Sequence, residues 1–400
     1  MNILVVSQYF YPENFKINDL IFSLKKRGHQ ITVLTGKPNY SKTQFFEGYG
    51  WKSDDFETIN DIAIYRANLF SRGDGGAIRL FLNYISFAIL ASVKVRKIKG
   101  PFDAIFVYQT SPVTVGIPAI FAKKLFKTPI YFWVQDLWPE SLTAAGGIKN
   151  KLVLGFFNSL TKWIYNNSKK VLIQSEGFRE YILNQGIPNN KIIYYPNPTE
   201  DFYGPLQKVK EYQEFFQNEF FNIVFAGNIG EAQSFKTIIE SINNIKGLNV
   251  KMTVLGDGRY KETALSLIKE KELESYFNFL GSFPPTEMPK FFSHADALLV
   301  SLKKEKIFSL TIPAKIQSYL ACGKPIIASV DGEGAKIVNE ADCGVTSPAE
   351  DSIALSEKIK ELMALDKSQR CEMGNNGRAY YKKEFDRNNL LEKLEVIFNL

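Results

Sequence analysis

Short apolar runs alternate with helix-length patterns along this whole chain, an order that few architectures accept other than βαβ units stacked into parallel sheets. In the first half the strand candidates are ILVVSQYF (3–10), QITVLT (30–35), IAIYRA (62–67), DAIFVYQ (103–109), PIYFWVQ (129–135), KVLIQS (170–175) and KIIYYP (191–196). A second series holds NIVFAG (222–227), VKMTVLG (250–256), YFNFLG (276–281), DALLVS (296–301), KPIIAS (324–329) and CGVTSP (343–348). Between the two, YPNPTEDFYGPL (195–206) is rich in proline and turn formers and breaks the pattern. The reading is α/β: two Rossmann-like, doubly wound parallel sheets facing a central cleft, with domains at 1–198 and 203–381. A length of 400 residues, 45% hydrophobic and 23% charged, suits two cores. No repeat of solenoid length interrupts the order.

Several chemistries are disfavoured at once. Cys322, Cys343 and Cys371 have no CxxC spacing, so they read as free thiols and not as a disulfide framework or zinc site. His29 and His294 are the only histidines, which removes metal-ligand pairs and leaves little for a Ser-His-Asp triad. MNILVV opens as a strand, with no basic stretch before it and no cleavage site after it, so a cytosolic protein is expected.

A formal charge of +7 favours an anionic partner. The excess is concentrated after RLFLNYISFAILASV (79–93), where KVRKIK (94–99) supplies Lys94, Arg96, Lys97 and Lys99. An apolar, aromatic segment with a basic end fits either a helix lying in a membrane interface or a core helix with a solvated terminus. Leu80 to Val93 is shorter than the ~20 residues that span a bilayer, and Asn83 interrupts it.

The sharpest local signal is TIPAKIQSYLACGKPIIA (311–328). Pro313 suits a helix start, Gly323 a helix stop, and Pro325 prevents continuation. Unpaired amides near Ala314 and Lys315, with the lysine ammonium beside them, form a site for an anion. Ligands of open parallel sheets collect beyond the strands' carboxyl ends. That rule draws attention to YFYPENFKIND (9–19) with Glu13, Asn14 and Lys16, and to DLWPESL (136–142) with Asp136, Trp138 and Glu140. It also marks AGNIGEAQS (226–234), with Gly227, Asn228, Gly230 and Gln233, and LGDGRYKE (255–262), with Gly256, Asp257 and Gly258.

With QYFYPENFKINDL (8–20), RGHQITVLTGKPNY (27–40), FWVQDLWPESL (132–142), QSEGFREYI (174–182), FAGNIGEAQ (225–233), LGDG (255–258) and IPAKIQSYLACGKPIIA (312–328) together, the chain resembles the retaining glycosyltransferases of family 4, of GT-B fold. The likeness is nearest to bacterial O-antigen and capsule transferases of the fucosamine-transferase type and covers essentially the whole chain. It implies a nucleotide-sugar donor, UDP by preference, on the C-terminal domain and an acceptor on the N-terminal one. It also implies a last helix, KKEFDRNNLLEKLEVIFNL (382–400), that crosses back to the first domain.

The implied activity is transfer of an N-acetylated or deoxy hexose to a polyprenyl-diphosphate-linked saccharide, at the inner face of the cytoplasmic membrane. No cofactor or metal is implied, since helix N-termini and lysines would balance the leaving diphosphate. The resemblance gives Lys315 to that diphosphate, Asp136 or Glu13 to the acceptor hydroxyl, and Asn14 to donor or acceptor. Pro313, Ala314, Ser318 and the glycine loops would bind the donor. The sequence departs from the family where paired glutamates are usual, with Leu310 and Ser318 in their places, and where a histidine is frequent, with Gln135 beside Asp136. A UDP-sugar 2-epimerase on the same scaffold would release free epimerised sugar without acceptor. A nucleic-acid-binding module would bind duplex DNA in a salt-dependent way, but no finger, helix-turn-helix or RNP pattern supports it.

Overall fold

The computed structural model describes residues 1–40, 43–73, 75–142 and 150–399. The contacts divide the chain into one unit of Met1–Pro198 with Asn388–Leu400 and a second of Thr199–Arg387.

The first unit holds strands β1 (Asn2–Ser7), β2 (Gln30–Gly36), β3 (Phe56–Ile59), β4 (Ile62–Ala67), β5 (Ala104–Gln109), β6 (Ile130–Val134), β7 (Lys170–Ile173) and β8 (Ile192–Tyr194). Its helices are α1 (Lys16–Lys26), α2 (Ala77–Lys94), α3 (Gly116–Phe126), α4 (Lys151–Asn167) and α5 (Gly177–Asn184). The sheet order is β3-β4-β2-β1-β5-β6-β7-β8, parallel except for the β3–β4 pair. Runs such as ILVV, AIFVY and IYFWV are buried along their full length because helices cover both faces of the sheet, and they read as continuous apolar stretches for that reason. The sequence reading omits β3. FETI is short and half exposed, but Asn60 and Asp61 both adopt positive φ (49° and 59°), the turn that favours a tight hairpin.

The second unit holds β9 (Phe221–Ala226), β10 (Val250–Leu255), β11 (Phe277–Gly281), β12 (Ala297–Ser301), β13 (Ile326–Ser329) and β14 (Gly344–Ser347). Between and after them lie α6 (Phe235–Asn243), α7 (Lys261–Glu270), α8 (Met288–His294), α9 (Lys306–Ser309), α10 (Ala314–Cys322), α11 (Glu333–Glu340), α12 (Ser352–Ala364) and α13 (Lys367–Glu384). The order β11-β10-β9-β12-β13-β14 is parallel throughout. The chain winds outward from β9 through β10 and β11, then returns to the other side of β9 at β12, which makes the β9/β12 junction a topological switch point. In the first unit the β1/β5 junction is the equivalent place.

The sequence places a crossing segment at 382–400, and the structure divides it. Residues 382–384 finish α13 in the second unit, and α14 (Arg387–Asn399) supplies Leu390, Leu391, Leu394, Ile397 and Phe398 to the core of the first. Phe398 packs edge-on against Phe106 and Tyr131, and its carbonyl accepts from the Tyr131 hydroxyl at 2.8 Å. Glu395 takes two hydrogen bonds of 2.8 Å from Arg27 and lies 2.8 Å from His29 Nε2. The guanidinium beside it holds the Glu395 carboxyl down to about 2. A depressed carboxylate contributes stability above its ordinary value of 4.5 and loses it as pH falls towards 2. Glu395→Gln should therefore cost about 1 kcal/mol at pH 7, with the difference from wild type shrinking below pH 4 in melting experiments.

Candidate functional site

In the second unit the loops after β9 and β10 interlock. Gly227 N donates to Leu255 O (2.8 Å), Ile229 N to Asp257 O (2.9 Å), and Tyr260 N to Ile229 O (3.0 Å). A Cβ on Gly256, where φ is +148°, would lie 1.9 Å from Gly227 O, and one on Gly258 2.3 Å from Ile229 O, so only glycine permits this approach. The amides of Gly227 and Ile229 are thus consumed by the loop pair, so Gly227, expected at the donor, has no amide left to offer it. Gln233 Oε1 accepts from Gly230 N (3.2 Å) and lies 3.5 Å from the exposed Asn228 Nδ2, closing the turn on itself. Asp257 caps Gly258 N at 2.7 Å and lies 3.4 Å from Lys261, the behaviour of a turn residue.

Against this rigid pair lies Lys315. A Cβ on Gly227 would meet Lys315 Cε at 2.7 Å, so the missing side chain makes the channel through which the lysine passes. Its ammonium sits 3.7 Å from the Phe225 ring centroid. Nζ is closed from solvent and has no hydrogen-bond partner among the described residues. Burial lowers its pKa to about 7. Pro313 is the N-cap of α10, one position before the helix proper, and no side chain caps the helix there. A cation in the first turn opposes the helix dipole, and a buried ammonium without a counter-ion is costly. Both penalties vanish when an anion occupies the place. Beside it, the loop after β13 approaches so closely that a Cβ on Gly332 would meet Ser309 O at 2.0 Å and one on Gly334 the Pro313 ring at 3.2 Å. The sequence reading does not single out this DGEG turn, although it follows a buried strand and enters a helix.

Ser318 already has partners within the second unit. It lies one turn into α10, buried, its hydroxyl donating back to Ala314 O at 3.3 Å and bonding Tyr203.

In the first unit, four neighbouring strands β1, β5, β6 and β7 each end in or next to a glutamine: Gln8, Gln109, Gln135 and Gln174. All four are buried. Gln135 Oε1 accepts from Asn197 Nδ2 (2.8 Å), but Gln8 Oε1, Gln109 Oε1 and Gln135 Nε2 find no partner among the described residues. Buried polar atoms are normally satisfied, so a row of unsatisfied amides at a sheet's carboxyl edge marks a polar ligand's place. Of these the sequence draws notice only to Gln135. The repeated strand-then-glutamine pattern (VSQ, VYQ, WVQ, LIQ) is the signal that finds the others.

Asp136 follows Gln135, half-buried. Burial, the one cause among the described residues, raises its pKa to about 7. Glu13 differs. Its Oε1 accepts from Asn39 N (2.7 Å) and Tyr40 N (2.6 Å), and its Oε2 lies 3.4 Å from Phe10 N. Burial pushes it up to about 7 against the opposing pull of those amides. Its oxygens are occupied in tying two loops together, whereas the Asp136 carboxylate has no hydrogen bond among the described residues. Asn14 is exposed beside it.

The basic end of α2 is less free than its sequence implies. Lys94 and Lys97 both pair with Asp55, while Arg96 and Lys99 stay exposed. Among the described residues no three of His, Cys, Asp and Glu converge into a set that could hold a metal ion.

Two family models account for most of the chain: "Glycosyl transferase 4-like domain" over residues 16–198 and "Glycosyl transferases group 1" over residues 207–380. The chain is a group 1, family-4-like glycosyltransferase. The enzyme is 24% identical over 276 residues to the probable glycosyltransferase WbjE of Pseudomonas aeruginosa, a match that spans 65% of each chain, just under two thirds of that relative's length. It is 21% identical to the putative colanic acid biosynthesis glycosyl transferase WcaI of Escherichia coli, across 98% of both. Among solved structures, Anabaena HepE in complex with UDP superposes with a TM-score of 0.72 at 13% identity over the full length of both chains. That likeness places the glycosyltransferase in the GT-B fold.

Proposed function

We propose that the enzyme moves a sugar from a UDP-sugar to a polyprenyl-diphosphate-linked saccharide during capsule or O-antigen assembly, with retention at the anomeric carbon and without a divalent cation. The carrying observation is the Lys315 ammonium, buried, unpartnered and set at an uncapped helix start between glycine loops. A nucleoside diphosphate supplies what that place lacks. WcaI is named for colanic acid biosynthesis and HepE was crystallised with UDP, which supports both the pathway class and the nucleotide.

In the reaction the acceptor oxygen bonds to the anomeric carbon as the carbon–oxygen bond to diphosphate breaks, and the electron pair leaves with UDP. Lys315 and the first amides of α10 balance the growing charge. The acceptor's proton passes to Asp136, whose raised pKa makes it a stronger base than an ordinary carboxylate. The unsatisfied glutamine row offers donors and acceptors to saccharide hydroxyls. The exposed Arg96 and Lys99, with the apolar face of α2, hold the enzyme to the anionic inner surface of the cytoplasmic membrane.

A thermal-shift panel of UDP, GDP, ADP and CMP in EDTA tests the donor. UDP at 100 times its Kd should stabilise by about 2.7 kcal/mol and the others by less. A shift that EDTA abolishes and manganese restores would overturn the metal-free reading, and a larger shift with GDP would overturn the uridine preference. Free epimerised sugar released without acceptor would identify an epimerase instead.

A further inference from the structure

The exposed faces of α2 and α3 meet in a groove of about 380 Å³ lined by Ile85, Ile89, Val93, Ile117 and Phe121, with Arg96 at one end. Ile89, Val93 and Phe121 are each at least half exposed. They follow helical spacing on both helices, so the groove is the junction of two apolar stripes that turn away from the core. Contiguous exposed apolar surface of this kind marks a contact site. α4, which packs on α3, adds exposed Leu152, Phe156 and Trp163.

Charge decides what fits. The three helices contain no aspartate or glutamate, and their charged residues are Arg79, Lys94, Lys123, Lys124, Lys151 and Lys162. Arg96 lines the groove at the C-terminal end of the α2 stripe, exposed and with no ion pair among the described residues. An apolar trough with a cationic end complements a hydrocarbon chain with an anionic head.

The helix is also long and apolar enough to cross a membrane by composition, but its fold forbids it. Asn83 on α2 donates to Asn39 Oδ1 (3.1 Å) and to Phe70 O (2.6 Å) and accepts from Gln8 Nε2 (2.7 Å), and Phe87 and Ala91 lie in the interior. One face is fixed to the sheet, so only the other meets lipid.

We propose that the α2/α3 groove seats one acyl chain of an anionic bilayer phospholipid, its phosphate held by Arg96. This rests on the membrane-surface reading above and adds a defined lipid site to it. The test uses the full chain with phosphatidylglycerol/phosphatidylcholine vesicles and with phosphatidylcholine alone. Flotation should recover the protein with the anionic vesicles at least fivefold better, and Arg96→Glu or Ile89→Glu should abolish that gain, with folding checked by circular dichroism. Phe121→Trp should be quenched at least twice as strongly by phosphatidylglycerol brominated along the acyl chain as the exposed Ile78→Trp, which lies outside the groove. Ser92→Phe, which fills the groove, should remove that difference. Anionic binding with equal quenching at both tryptophans would sink the groove and leave membrane association standing. No flotation with either vesicle would remove both, and equal recovery with neutral vesicles would remove Arg96's role.

Discussion

Lys315→Ala should lower kcat/KM with a UDP-sugar at least 10-fold, a loss of about 1.4 kcal/mol in transition-state stabilisation. The wild-type protein should also bind UDP more weakly as pH rises past about 7. Below that value the lysine is already charged, and above it the free protein holds a neutral amine that must take up a proton before it can pair with diphosphate. Titration calorimetry at pH 6 and pH 8.5, in buffers of different ionisation enthalpy, reads this directly. Proton uptake should accompany binding at pH 8.5 in wild type and be missing in the alanine variant. An affinity that is the same in both proteins at both pH values would take Lys315 out of the donor site.

Asp136→Asn should reduce kcat by about 10²–10⁴-fold with little change in UDP affinity, and the wild-type rate should climb with pH through about 7 as the carboxyl ionises. The same residue should reveal itself in stability. Its folded pKa lies above the ordinary 3.8, so the native state holds the proton more tightly and loses stability as pH rises from about 4 towards 7. The asparagine variant should therefore melt above wild type at pH 8 and together with it near pH 4. A variant that turns over within a few-fold of wild type would transfer proton acceptance to the departing phosphate.

Most of the fold can be read in the sequence because parallel strands buried on both faces announce themselves as unbroken apolar runs. β3 escapes, since it is an antiparallel edge strand with one face in solvent, and only the Asn60–Asp61 turn betrays it. The site is legible where a residue's role is local. Pro313 and Gly323 bound α10 through their own backbone limits, so Lys315 could be placed at a helix start from sequence alone. Roles that depend on distant partners were not legible. Glu13 reads as an open loop carboxylate until Asn39 and Tyr40, far along the chain, are seen to donate to it. The partners of Ser318, Tyr203 among them, are likewise invisible in the sequence. The glutamine row is spread over residues 8 to 174 and becomes one feature only when the sheet order is known.

Because residues 388–399 complete the first core yet follow the second unit in the chain, that core cannot close during translation until all of 199–387 has left the ribosome. The seam around Phe106 and Tyr131 thus waits uncovered through much of synthesis, a period in which chaperone engagement is to be expected.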